Sequence, residues 1–147
     1  MSTKLQRLML RLINMWPPLL GAGIHVRWHS ARCVDVEMQL RPWNRNYVGT
    51  HYGGSLYSMT DPFYMLMLME NLGSGYIVWD KAANIRFRKP GKGKVMAEFR
   101  LSDAQLDEIR DKLTTQEKYE PAFLVEVNDE AGDVVAEVQK VLHIRRK

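Results

Sequence analysis

The stretch from Asn46 to Asp61, NYVGTHYGGSLYSMTD, gathers the residues best suited to chemistry. Gly53 and Gly54 open an apolar run. A helix starting there would leave backbone N–H groups uncovered by side chains, with the helix dipole adding partial positive charge. An oxyanion fits such a place. Asp61 follows two turns later among Met59, Phe63 and Tyr64, where a carboxylate is costly to bury without a partner or a task. A carbonyl held against the Gly53 and Gly54 amides would have its developing oxyanion stabilised while Asp61 activates water or attacks the carbon directly. Asn46 or His51 would then position the water or the substrate.

Each of these residues also has a purely structural reading. Asp61 precedes Pro62, and Asp-Pro is equally the signature of an N-cap and first helical position, with a helix restarting at Pro62. Gly53 and Gly54 serve as turn formers, and His51 alone is a loop histidine. His25, His29 and His143 show no metal-ligand spacing with one another or with Cys33, so no metal site is expected. Met59, Met65, Met67 and Met69 read as core filling, although methionine also suits a pliable acyl pocket.

The elements that must hold these residues can be read from periodicity. Leu5, Leu8, Met9, Leu12 and Ile13 repeat at helical spacing with Lys4, Arg7 and Arg11 between them, which predicts an amphipathic N-terminal helix within residues 1–18, stopped by Pro17 and Pro18. Strands are expected at Ile24–His29 and at Cys33–Arg41, where Val34, Met38 and Leu40 oppose Asp35, Glu37 and Gln39. Residues 42–54 are rich in turn formers. Leu56–Leu72 is apolar on almost every side and must be buried. Further strands are predicted at Tyr76–Trp79, at Asn84–Lys89 with Ile85 and Phe87 inward, and at Val95–Leu101 after a Pro90–Gly93 turn. Ser102 with Gln105 forms a capping box, Leu101 with Leu106 a hydrophobic staple, and Leu106, Ile109 and Leu113 the stripe of a surface helix. Ala122–Asn128 and Val134–Ile144 close the chain as a hairpin. Strands arriving in hairpin pairs favour one antiparallel sheet, in α+β architecture, wrapped around the apolar helix.

Composition agrees with a single domain over residues 1–147. Hydrophobic residues at 46% and charged residues at 26% exclude disordered and low-complexity classes. One cysteine, Cys33, leaves no intrachain disulfide and fits a reducing cytoplasm. Arg7 and Arg11 interrupt any signal-peptide core, and the apolar run is too short to span a bilayer. The N-terminal helix can lie on a membrane surface or pack on protein. The net charge of +4 is too small to predict nucleic-acid binding. Its distribution is uneven: six bases and no acid lie between Lys81 and Lys94, whereas twelve of the seventeen acids lie between Glu98 and Glu137. The basic run suggests either an anionic ligand or a solvated face.

With these residues in place, the chain resembles the hotdog-fold acyl-CoA thioesterase superfamily, and within it the DUF4442 group, over roughly residues 20–145. The segments NYVGTHYGGSLYSMTD and NIRFRKPGKGKV carry the resemblance. The first is similar to a pattern of Asn, a short loop, His-Gly-Gly and a helix Asp. On that match Asn46, Gly53, Gly54 and Asp61 take the functional positions, while Tyr52 stands where the pattern has its His and His51 falls one place early. Tyr52 can still donate a hydrogen bond through its hydroxyl. The second segment resembles the strand and turn where such families place bases near the coenzyme's phosphates, which implies Arg86, Arg88, Lys89 and Lys92. The resemblance implies an acyl-CoA or related thioester substrate, with no cofactor beyond the coenzyme A that the substrate carries. It also implies a homodimer or homotetramer with active sites at the subunit boundary. A hotdog dehydratase would need a His and an acid acting together, and His51 with Asp61 or Glu70 lacks the spacing. A non-catalytic acyl-CoA binder of the same fold is the other reading, and Tyr52 is its support. For nucleic-acid binding no aromatic platform interleaves the bases, Phe87 being read as inward.

Overall fold

A computed structural model describes Leu8, Leu10 and residues 12–147. After a 3-10 turn at Ile13–Met15 come α1 (Pro17–Ala22), β1 (Ile24–Ser30), β2 (Cys33–Gln39), α2 (Gly53–Ser58), α3 (Phe63–Leu72) and β3 (Tyr76–Phe87). Then follow β4 (Lys94–Arg100), α4 (Asp103–Thr115), β5 (Lys118–Tyr119), β6 (Ala122–Asp129) and β7 (Val134–Arg146). The seven strands form one sheet in the order β1-β2-β4-β6-β7-β3, with β5 beside β7 and every pairing antiparallel.

Alternation puts one face of this sheet in the core. Val34, Val36 and Met38 of β2, Val95, Ala97 and Phe99 of β4, and Phe123, Val125 and Val127 of β6 are all buried, whereas their neighbours in sequence face outward or lie half-buried. The sheet curves around α3. Phe63, Tyr64, Met67 and Leu68 fill its hollow, with Tyr64 stacked on Phe123 at 4.5 Å and both Phe63 and Tyr64 against Phe99 at 5.0 and 5.2 Å. The capping box at Ser102 and the buried stripe Leu106, Ile109 and Leu113 of α4 match the sequence expectation.

Several expectations need correction. Of the N-terminal stripe, Leu5 and Met9 lie outside the described residues; Ile13 is buried, and Leu8 and Leu12 are exposed. Pro17 and Pro18 do not simply end a helix: they begin α1, because a proline at the first helical position gives up an N–H that has no intrahelical partner anyway. The apolar run Leu56–Leu72 is two helices, and Met65, Leu66 and Met69 on the far side of α3 are half-buried rather than enclosed. Tyr76–Trp79 and Asn84–Lys89 belong to one strand, β3. A bulge at Lys81 shifts its register against β7, from Asp80 opposite Leu142 to Ala82 opposite Val141.

Candidate functional site

The break between α2 and α3 is where Asp61 sits. Pro62 has no N–H and its ring clashes with the preceding turn, so the chain leaves the helix over Met59–Asp61 and resumes it at Phe63. Asp61 is not a cap: the N-cap of α3 is Pro62, and no side chain bonds the first amides of that helix. Instead the bend turns the Asp61 carbonyl and carboxylate toward β7. There the Nζ of Lys140 donates to Asp61 O at 2.6 Å and to Asp61 Oδ1 at 2.9 Å. Tyr57, one turn back on α2, donates its hydroxyl to the same Oδ1 at 2.8 Å. Asp61 Oδ2 has no protein partner among the described residues.

Lys140 is fully buried on the core face of β7, between Val138 and Leu142, with a second carboxylate, Asp80 Oδ1 of β3, 3.0 Å from its nitrogen. Its Nζ also lies 5.4 Å from the centre of the Tyr57 ring. Burial pulls this ammonium down, but the bonds to Asp61 and the ion pair with Asp80 outweigh it and hold Lys140 above its ordinary value, so it stays charged. Burial holds the Asp80 carboxyl above the usual carboxylate range, against the Lys140 ammonium and with the help of the Asp61 charge. Burial and the bond to Asp61 raise Tyr57, which keeps it a donor. Sequence reasoning singled out Asp61 and missed Lys140, Asp80 and Tyr57. The available signal was a lysine in phase with Ala136, Val138, Leu142 and Ile144 on an otherwise apolar strand face.

Gly53 and Gly54 lie at the start of α2, and neither has a positive φ, so they are not turn formers. Close approach explains them better. A Cβ on Gly53 would meet the Phe87 ring at 3.0 Å, and one on Gly54 would meet the Tyr52 ring at 2.5 Å. The amides of Ser55 and Leu56 bond to Tyr52 O, while those of Gly53 and Gly54 take no protein acceptor among the described residues. Tyr52 caps the helix by backbone alone, and its side chain is mostly exposed.

Asn46 and His51 make no hydrogen bond to Asp61. Asn46 organises its own loop: its Oδ1 accepts from the amides of Val48 and Thr50, and its Nδ2 donates to Thr50 Oγ1 and His51 O. His51 is buried, with Nε2 donating to Gly93 O at 2.9 Å and its own amide bonded to Gly91 O, so it fastens the Pro90–Gly93 turn.

The basic run is largely neutralised within the chain. Arg88 pairs with Glu137 at 2.6 Å, and Lys89 with Asp129 and Asp133 at 2.6 and 2.7 Å. Lys81 pairs with Glu120 at 2.7 Å. Arg86 and Lys92 are exposed and make no ion pair among the described residues. Phe87, expected inward, instead lies against Gly53 of α2 and is more than half exposed.

An antiparallel sheet curved around a central helix, with a carboxylate held at that helix's entry, defines a protein of the hotdog class. The chain belongs to the DUF4442 family, a domain of unknown function, which matches residues 5–144. Among solved structures it is similar to a protein of unknown function from Pseudomonas aeruginosa named a probable thioesterase, at 22% identity and TM-score 0.84, covering 100% of this chain and 97% of that one. It is also similar to a protein of unknown function from Chlorobaculum tepidum (14% identity, TM-score 0.75, covering 97% and 94%). A thioesterase from Haemophilus influenzae is a third (14%, 0.68, 93% and 88%). No curated protein matches the chain. No helix among the described residues is long and apolar enough to cross a membrane.

Proposed function

We propose that this chain hydrolyses a thioester, with acyl-CoA as the substrate class and Asp61 as the essential carboxylate. The observation that carries the reading is the placement of Asp61. Its Oδ1 is fixed by Tyr57 and Lys140 while the side chain stays 44% exposed, so a charged group is oriented yet reachable. In this reading Asp61 Oδ2 takes a proton from water as that water attacks the carbonyl, or itself attacks to give an anhydride that water then opens. The Gly53 and Gly54 amides stabilise the tetrahedral oxyanion, and its collapse expels the thiolate of coenzyme A. Arg86 and Lys92 are the bases of the run left to meet the coenzyme's phosphates, Arg88 and Lys89 being paired internally. Asn46 and His51 act on the loop and turn around the site. Tyr52 stays in reach as a hydroxyl donor at the helix entry.

The test is free-thiol release from short, long and aromatic acyl-CoAs, comparing wild type with Asp61→Asn and correcting for Cys33. Turnover in wild type that falls at least a hundredfold in the variant, with ligand still bound, is the expected result, of the order a missing general base produces (~10² or more). A single turnover in oxygen-18 water that labels Asp61 establishes the anhydride route opened at the Asp61 carbonyl, whereas label confined to the product acid reports water attack at the acyl carbon, on the thioester or on the anhydride alike. A second reading, a binder of acyl-CoA without turnover, is favoured by the commitment of Asn46 and His51 to the loop. Acyl-CoA bound by wild type with no thiol released across the panel would establish it in place of the hydrolase.

A further inference from the structure

Building on the reading of Asp61 as the working carboxylate, we infer that Lys140 and Asp80 are positioning residues that set the ionisation of Asp61 from opposite directions: Lys140 holds it charged, and Asp80 opposes that charge. The bend before α3 and strand β3 converge on one nitrogen of β7. Lys140 Nζ donates to Asp61 O at 2.6 Å and to Asp61 Oδ1 at 2.9 Å, and Asp80 Oδ1 lies 3.0 Å away as an ion-pair contact, an oxygen with no hydrogen-bond donor among the described residues. Two carboxylate oxygens that each lie about 3 Å from one nitrogen are within about 6 Å of each other, the range in which like charges disfavour joint ionisation.

The remaining groups around the cluster are accounted for. Tyr57 faces Asp61 from α2 as a neutral donor, and Lys81, next to Asp80 on β3, is turned to Glu120 at 2.7 Å. A groove of about 410 Å³ lined by Tyr57, Asp80, Lys81, Ala82, Ala83 and Ile85 runs alongside. It leaves the Asp80 side chain 23% exposed, while Lys140 stays at 0%. A buried ion pair gives little net stability over an apolar side chain of similar size, so stability alone does not explain a lysine at this position of β7.

The test follows the Asp61 carboxyl by carbon-13 NMR titration in wild type, Lys140→Met, Asp80→Asn and the double variant, beside the pH profile of kcat/KM. Removing the ammonium leaves two neighbouring carboxylates, so Lys140→Met is expected to raise the Asp61 midpoint by about one pH unit or more. The acid limb of activity moves with it. Asp80→Asn removes the like charge, so it lowers both, and the double variant returns toward wild type. Midpoints that stay fixed in both single variants, or move in the same direction, would overturn the proposal. If Lys140→Met does not fold by circular dichroism, Asp80→Asn alone decides, because an unchanged or raised midpoint there is fatal. The titration does not depend on turnover. Opposed shifts in a protein without hydrolysis would uphold the coupling and sink the hydrolase reading, whereas hydrolysis with fixed midpoints would do the reverse.

Discussion

His51 donates from Nε2 to Gly93 O and leaves Nδ1 buried without a partner. Burial lowers its pKa below 6.5 and outweighs the opposing effect of the bond to Gly93. As pH falls through 6.5 toward the folded value, the unfolded chain takes up a proton that folded His51 refuses, so stability drops over that window and is flat above it. Urea midpoints measured across this range are expected to show that slope in wild type and a shallower one in His51→Gln. At this scale the sequence was half legible. Asp61 announced itself as a carboxylate in an apolar run, but Lys140 sits seventy-nine residues away, and pairing across that distance exists only after β7 is laid beside β3. His51 looked like a partner of Asp61 because it was near in sequence. The Pro90–Gly93 turn, remote in sequence, claimed it instead.

Among the elements, α4 was the most legible because its signals are local. Ser102 Oγ accepts from the Gln105 amide at 3.1 Å, and Gln105 Oε1 accepts from the Ser102 amide at 2.9 Å. Ser102→Ala is expected to cost about 1 kcal/mol. In a thermal melt that would appear as a fall in Tm of about 2–4 °C for a chain of this size. β3 was misread for an equally physical reason. Before the bulge Val78 faces the core with Ile144; after it Ile85 and Phe87 share that face with Val138 and Ala136, so the apolar phase slips by one residue. A phase slip looks like a strand ending and another beginning. The break before α3 was foreshadowed by Pro62, yet neither the bend's direction nor the lysine that donates to its carbonyl could be read locally.

For the molecule as a whole, the uneven charge along the chain resolves into pairs. Lys81, Arg88 and Lys89 meet acids of Glu120–Glu137 across the sheet, which removes much of the anion-binding surface the run suggested. Hydrophobic surface is less fully settled. β3 is a twelve-residue edge strand with an exposed second half, and Met65, Leu66 and Met69 of α3 are incompletely covered, so one copy leaves both an open edge and apolar area in water. Sedimentation equilibrium is therefore expected to give at least twice the 17.1 kDa chain mass at micromolar concentration, and a mass of one chain would overturn the dimer and tetramer readings alike. Lys81, the extra residue in the bulge, also bears on how this lineage can change. With it, Asp80 and Phe87 lie on one face of the strand although they stand an odd number of places apart. Loss of that one residue would leave Asp80 opposite Leu142 and Ala82 opposite Val141 as regular neighbours, with Ile85 and Phe87 still on their face, whereas a single loss between Ala82 and Phe87 with the bulge kept would reverse the faces beyond it. The bulge is thus the one place in β3 where a single residue can be dropped without reversing a face, while on either side of it only even changes preserve the alternation.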